Sequence, residues 1–316
     1  MNIALVPQAA GKGATGFACD FLHGMGCSPK RVPSKHLYDA AGAKLFERIC
    51  ELPEYYQTRA ELSILRAHAP EIAALMGRGI ALIEFGAGNP RKARLLLSAL
   101  RQPQAYIPVD LCPPSQAVFS LETEFGVAVR PIVADFTADF ALPRVPGKGL
   151  RLAGFFPGST IGNFTPEEAL SFLRSVRARL AGGGLLVGLD LEKDPRVLHA
   201  AYNDSLGVTA AFNRNLLVRA NRELGADFDI AAFDHYAPYN VQARRIEMYL
   251  VSRRRQHVTI AGRDIRFAEG EAVNTEISCK YTLESFRAIA GKAGFAPAAI
   301  WTDARKFFAV AWLEAA

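Results

Sequence analysis

Three short segments carry residue types suited to holding a nucleoside. The apolar run Ile80-Ala-Leu-Ile-Glu-Phe85 ends at Gly86-Ala-Gly88, and a helical stretch with Leu95, Leu96, Leu97 and Leu100 follows. A strand that turns on glycine into a helix places a ligand beyond the carboxyl ends of parallel strands. The turn lacks the third glycine of GxGxxG, which allows close helix packing around a pyrophosphate. Asp110 ends the next apolar run, where a carboxylate can accept both ribose hydroxyls; the same place also suits a helix N-cap or turn. Asp135 closes a third run, 127–134, beside Phe136. That pair suits an adenine amine and ring, or a plain turn aspartate next to a core phenylalanine. Together the three positions favour an adenosine-bearing ligand without a pyrophosphate, and S-adenosylmethionine fits that description.

The elements that must position these residues alternate. Apolar runs at 80–85, 105–110, 127–134, 152–156 and 185–190 are separated by amphipathic stretches, one of them Pro166 to Leu180, stopped by Gly182-Gly-Gly184. Such alternation predicts a parallel sheet covered on both faces. The tail reads as two strands, 298–302 and 307–313, joined by Asp303-Ala-Arg-Lys306. So short a link requires antiparallel pairing. Residues 34–76 read as helical, with Thr58 and Glu61 spaced as a capping box. Residues 244–281 read as an antiparallel hairpin insertion, Ile246–Val251 against His257–Ile260, with a turn at 262–264. The expected organisation is an irregular arm (1–34), a helical cap (35–78), a core (79–195), a substrate-binding insertion (196–281) and a return to the core (282–316). The expected fold is α/β: a Rossmann-like, seven-stranded sheet of the S-adenosylmethionine-dependent methyltransferase type, with the helical cap and the antiparallel insertion.

Composition narrows the function classes. The chain has 316 residues, half of them apolar, and 37 Lys+Arg against 31 Asp+Glu. That excludes a disordered, collagen-like or coiled-coil chain. No run approaches the ~18 apolar residues of a membrane span. The start lacks the pattern of a signal peptide. Five scattered cysteines, an odd number without a CxxC pair, argue against a disulfide framework or zinc site and for a reducing cytoplasm. The six histidines show no HExxH, so no metal is expected. Gly158-Ser-Thr160 is not a nucleophile elbow, because Pro157 precedes it and GxSxG fails.

Five longer segments are distinctive: Lys35-His-Leu-Tyr-Asp-Ala-Ala-Gly-Ala-Lys-Leu-Phe46, Leu52-Pro-Glu-Tyr-Tyr-Gln-Thr-Arg-Ala-Glu61, Phe156-Pro-Gly-Ser-Thr-Ile-Gly-Asn163, Ala201-Tyr-Asn-Asp-Ser-Leu-Gly-Val-Thr-Ala-Ala-Phe-Asn-Arg-Asn215 and Thr275-Glu-Ile-Ser-Cys-Lys-Tyr281. From about Ser34 to the end, the chain resembles the L-histidine Nα-methyltransferases of ergothioneine biosynthesis. These convert histidine to the trimethylated betaine hercynine with S-adenosylmethionine, releasing S-adenosylhomocysteine. The resemblance implies that Tyr38, Gly86, Lys92, Asp110, Asp135 and Phe136 bind the cofactor. It implies that Tyr55, Gly158, Asn163, Tyr202, Glu276 and Ser278 bind histidine. Asn163 and Tyr202 would hold the carboxylate, Glu276 and Ser278 the imidazole, with Tyr55 near its other nitrogen. The turn Gly-Ala-Gly-Asn-Pro departs from the Gly-Ser-Gly-Thr-Ser of many relatives, and Phe-Pro-Gly-Ser-Thr from Phe-Leu-Gly-Ser-Thr.

Methyl transfer from a sulfonium is an in-line displacement that needs an aligned, neutral amine and no metal. Tyr38 and Tyr55 are candidates for positioning that amine or taking its proton, and water is the alternative. A carboxylate at Glu276 would accept an imidazole N–H in a charge-assisted bond; on its own the residue also reads as a solvated hairpin glutamate. Tyr202 equally suits a core and Asn163 a helix start. The expected partner is a small molecule, with neither nucleic acid nor membrane, and a sulfoxide synthase as pathway partner of a monomer. Competing readings are a relative acting on another aromatic amino acid such as tryptophan, and an RNA-associated protein using Arg253-Arg-Arg255.

Overall fold

The structure, a computed structural model, describes residues 13–145 and 150–315, with side chains from Gly16. In chain order its elements are α1 (Gly13–Met25), β1 (Lys30–Arg31), α2 (Ala40–Glu51), α3 (Gln57–Met76), β2 (Ile80–Phe85), α4 (Arg91–Ala99), β3 (Ala105–Asp110), α5 (Gln116–Phe125), β4 (Ala128–Val129), β5 (Ile132–Val133), β6 (Arg151–Phe156), α6 (Pro166–Leu180), β7 (Gly184–Asp190), α7 (Pro195–Tyr202) and α8 (Val208–Leu224). Then follow β8 (Phe233–Tyr236), β9 (Tyr239–Asn240), β10 (Arg245–Ser252), β11 (Gln256–Ile260), β12 (Arg263–Phe267), β13 (Ala272–Cys279), α9 (Leu283–Lys292), β14 (Phe295–Thr302) and β15 (Phe308–Ala315). The chain divides into two bodies. One is Met1–Ile49 (described from Gly13), Tyr202–Pro238 and Glu247–Ile277; the other is Cys50–Ala201, Tyr239–Ile246 and Ser278–Ala316 (described to Ala315). The two helices expected to form one cap therefore start in different bodies, α2 in the first and α3 in the second.

The second body holds the expected sheet, in the order β14-β15-β7-β6-β2-β3-β4, with β5 also on β3. β4 and β5 are two-residue pieces sharing one edge position, so the eight strands fill seven places. β2 pairs in parallel with β3 and β6, and β6 with β7, while β15 runs antiparallel to β7 and β14. Every residue of β2 and β7 is buried, as expected where helices cover both faces. α3 and α4 bring Ile64, Leu65, Ile72, Met76, Leu96 and Leu97 onto one core with Leu82, Tyr106, Phe155 and Trp312 of the sheet. α6 begins at Thr165 with a reciprocal capping box to Glu168 and proline at its start, so its predicted span is the observed one.

Glu84 is the polar exception inside β2, 2% exposed, with Tyr106 Oη–H donating to its carboxylate. Burial pushes its carboxyl pKa from the ordinary 4.5 up to about 8, against the opposing pull of Tyr106 and Lys92. Between those values the unfolded chain has lost a proton that the folded chain keeps, so this group's contribution to stability falls as pH rises through the window. Glu84→Gln is expected to remove that slope. Denaturant unfolding should show near-equal stability at pH 5 and a gain over the parent of roughly 1–3 kcal/mol by pH 8.

The first body is built on β1-β13-β10-β8, while β9 pairs with the first two residues of β10 inside the 239–246 segment of the second body. β1 is parallel to β13, and β8 antiparallel to β10. Three expectations are corrected here. The 1–34 arm is not irregular over Gly13–Met25: Phe17, Phe21 and Met25, spaced as one helical stripe, are all at most 2% exposed. Residues 1–12 lie outside the described part. β11 pairs with β12 around Ala261 and Gly262, not with β10, so the predicted hairpin joins strands of different sheets. In the second body, the capping role of Thr58 fails. α3 starts after Tyr56 without a side-chain cap, and Glu61 turns inward instead.

Candidate active site

In the second body, the nucleoside-type residues gather at the carboxyl ends of adjacent parallel strands. Gly86 follows β2, its N–H donating to Val109 O at 2.8 Å, which ties the turn to the end of β3 beside Asp110. Gly86 has φ +77°, and a Cβ there would lie 3.6 Å from Phe136 Cε1. A side chain is excluded from that cradle by conformation, and Phe136 stands over it. Asp110 pairs with Val133 of β5, and Ala134 N–H donates to Asp110 O at 2.9 Å, which brings Asp135 next in line. Phe136 is fixed against Phe156 and Phe172, ring centroids 5.6 and 5.9 Å away. Asp110 Oδ1 accepts from Cys112 N at 3.0 Å, and burial raises its carboxyl pKa against that bond. Asp135 Oδ1 accepts from Thr137 N and Oγ1 at 2.9 and 2.5 Å, so this side chain also shapes its own turn.

Gly158 follows β6, on the other side of β2, with φ +77°. Its N–H donates to both oxygens of the fully buried Glu61 at 3.0 Å, and Lys92 Nζ lies 2.5 Å from Glu61 Oε2. Lys92 and Gly158, assigned to different ligands from the sequence, thus meet on one carboxylate. Gly188 of β7 leaves the room that Glu61 needs, since a Cβ there would collide with Glu61 Oε1. Tyr55 is 8% exposed in a turn clamped by Arg59, whose guanidinium donates to Leu52 O, Pro53 O and Tyr55 O at 2.6, 2.6 and 3.1 Å. Asn163 ends a short 3₁₀ turn, Thr160–Asn163.

A charged cluster lies at the end of β7. Asp190 is completely buried and accepts from Tyr56 Oη at 2.7 Å, Lys193 Nζ at 2.5 Å and Lys280 Nζ at 2.8 Å. Burial raises the Asp190 carboxyl pKa, but the two ammonium charges outweigh it and hold the group below its ordinary range. Burial pulls Lys193 down to about 8 despite Asp190. Lys280 Nζ also donates to Ser278 Oγ at 2.7 Å. Sequence reasoning missed Glu61, Lys193 and Lys280, whose ion pairs stand beside Gly158, Lys92 and Ser278. The signals were a glutamate on the apolar face of a helix and a lysine two places after Ser278.

Tyr38, Tyr202 and Glu276 belong to the first body. Tyr38 sits edge-on to Phe46 and Phe212, centroids 5.4 and 5.3 Å away. The neighbouring Asp39 accepts from Asn215 Nδ2, Arg222 Nη2 and Gly42 N at 2.6–2.8 Å. Tyr202 is buried, and its carbonyl accepts from His235 Nε2 at 2.8 Å. His235 Nδ1 faces Asn213 Nδ2 at 3.0 Å, which assigns the Nε2–H tautomer. Asn213 Oδ1 accepts from Thr275 Oγ1 at 2.6 Å, beside the buried Glu276. Burial lowers the His235 pKa and keeps this chain neutral. Arg253 and Arg254 pair with Asp234 and Asp229, at 2.6 and 2.9 Å, so two charges of that basic run are compensated within the body. Among the described residues, no helix is long and apolar enough to cross a membrane, and no group of three or more His, Cys, Asp or Glu is placed to hold a metal.

The model of the histidine-specific, S-adenosylmethionine-dependent methyltransferases matches residues 17–315. The chain is 42% identical over 304 residues to the histidine N-alpha-methyltransferase of Mycolicibacterium smegmatis, covering 93% of this chain and 94% of that protein. It is 41% identical over 293 residues to the histidine N-alpha-methyltransferase of Mycobacterium tuberculosis, covering 90% of each. Ergothioneine biosynthesis protein 1 of Neurospora crassa is 29% identical over 88% of this chain, which corresponds to 32% of that longer protein. With its strand-end cradle and its match from one end of the described chain to the other, the chain belongs to the histidine-specific, S-adenosylmethionine-dependent methyltransferases.

Proposed function

We propose that this chain methylates the α-amine of L-histidine with S-adenosylmethionine, ending at hercynine, the first step of ergothioneine biosynthesis. The carrying observation is the 42% identity to a histidine N-alpha-methyltransferase over 93% of the chain. When bound, the cofactor supplies an activated methyl group for in-line displacement. The chain's residues fit it: the Gly86 cradle admits close approach, Asp110 offers a carboxylate to ribose hydroxyls, and Phe136 offers a ring face to adenine, with Asp135 at its amine. Tyr38 completes this set. Lys92 contributes through Glu61 and the Gly158 turn.

Asn163 and Tyr202 hold the substrate carboxylate, and Gly158 belongs to the same substrate set. Glu276 and Ser278 hold the imidazole, Glu276 accepting its N–H, with Tyr55 near the other nitrogen. Tyr38 or Tyr55 orients the amine. S-Adenosylhomocysteine leaves as coproduct, and hercynine passes to a sulfoxide synthase. Five unbridged cysteines suit a reducing cytoplasm. Calorimetric titration with S-adenosylhomocysteine present tests the substrate reading. L-Histidine should bind at least tenfold more tightly than histamine, which lacks the carboxylate, and than L-phenylalanine, which lacks the ring nitrogens. Equal binding of all three would refute it.

A further inference from the structure

Tyr202 is the last residue of α7, and the carbonyls of a helix's last turn have no partner within the helix. Its carbonyl is met by His235 Nε2–H at 2.8 Å. The next two residues are held as well. Asn203 Nδ2 donates to Ala237 O at 2.9 Å, and the Asp204 carboxylate accepts from Thr209 N and Val208 N at 2.7 and 2.8 Å. His235 is itself fixed from behind. The fully buried Asn213 sets Nδ2 between Tyr249 O and His235 Nδ1, at 2.9 and 3.0 Å, and its Oδ1 accepts from Thr275 Oγ1 at 2.6 Å. Turning that amide over would set oxygen against oxygen at Tyr249, so Asn213 donates to both neighbours. His235 Nδ1 is therefore an acceptor, and the one N–H of the neutral ring goes to Tyr202. All of these residues lie in the first body.

We propose that His235 is a positioning residue: by holding the backbone at the root of Tyr202, it sets that side chain for the carboxylate of the amino-acid substrate. The inference rests on the reading that Tyr202 holds that carboxylate. A hydrogen bond weakens steeply once its donor leaves the normal distance and angle, so a loosened backbone at Tyr202 costs the contact even with the phenol present. The run His235–Asn213–Thr275 ends one residue from Glu276. Tyr202 and Glu276, which read opposite ends of the substrate, are thus joined by one run of hydrogen bonds within a single body. Because His235 acts through Tyr202, its loss should fall on ligands that carry a carboxylate and spare those that do not.

The test is titration of L-histidine and of histamine into protein saturated with S-adenosylhomocysteine. His235→Asn keeps an acceptor for Asn213, but its shorter side chain does not reach Tyr202 O. His235→Gln reaches Tyr202 O with a donor and gives up the Nδ1 acceptor. In His235→Asn the affinity for L-histidine should fall roughly three- to tenfold, the worth of one hydrogen bond, while histamine binding stays within about twofold of the parent. His235→Gln should recover most of the loss. Adding His235→Asn to Tyr202→Phe should cost little beyond Tyr202→Phe alone, because the two act through one phenol. If His235→Asn does not fold, His235→Phe, which fills the ring's space without either bond, gives the same comparison. Unchanged L-histidine binding, equal losses for the two ligands, a His235→Gln protein no better than His235→Asn, or losses that multiply in the double variant would overturn the proposal alone. A Tyr202→Phe protein that binds L-histidine as the parent does would overturn the carboxylate reading beneath it.

Discussion

Glu276→Ala is expected to lower kcat/KM for L-histidine about 10–100-fold while leaving cofactor binding intact. The residue is 8% exposed, in β13, a strand held through Thr275 and Asn213. A bond to a charged acceptor is worth about 1.5–3 kcal/mol, which is that range in rate. The loss should be specific. A site that reads an N–H rejects rings without one, and a truncated Glu276 reads nothing. Activity on phenylalanine or tyrosine, whose rings carry no N–H, should therefore hold or rise as activity on histidine falls. Steady-state kinetics on the three amino acids checks this. Parallel losses on all three would mean that Glu276 supports the fold of β13 rather than the ring.

Glu61→Ala is expected to lower unfolding free energy by about 3–5 kcal/mol, because it strips the partner from a mostly buried ammonium. Lys92 has 17% of its side chain exposed, and the Gly158 amide loses its acceptor as well. Glu61→Gln keeps an oxygen for that amide and loses only the charge, so it should fall between the two. Denaturant unfolding of the three proteins measures the order. The same change should loosen the Gly158 turn and raise KM for histidine. Equal stability of all three would show that the Glu61–Lys92 pair contributes nothing net.

The sheet was readable because its signals are local. β2 and β7 are uninterrupted apolar runs, α6 carries its own cap and proline, and the four-residue link between β14 and β15 admits one pairing sense. The gathering of Gly86, Asp110 and Asp135 at neighbouring strand ends was readable for the same reason, since each closes or follows an apolar run. What stayed hidden depends on distance in sequence. Thr58 and Glu61 have capping-box spacing, but Glu61 is claimed by Gly158, 97 residues away, and by Lys92. Asp190 was visible as a strand end, yet nothing local announces Tyr56 and Lys280 as its partners. β10 and β11 lie close in sequence, so a hairpin was the natural reading, while their partners β8 and β12 give it the lie. In α1, glycine and alanine masked a stripe of only three large apolar residues.

The most direct test of the central claim is mass spectrometry of the purified protein incubated with S-adenosylmethionine and all twenty amino acids. L-Histidine should be converted to its Nα-trimethylated form, with the partly methylated forms as earlier products and the other amino acids unchanged. Methylation of a different amino acid, with histidine untouched, would contradict the account.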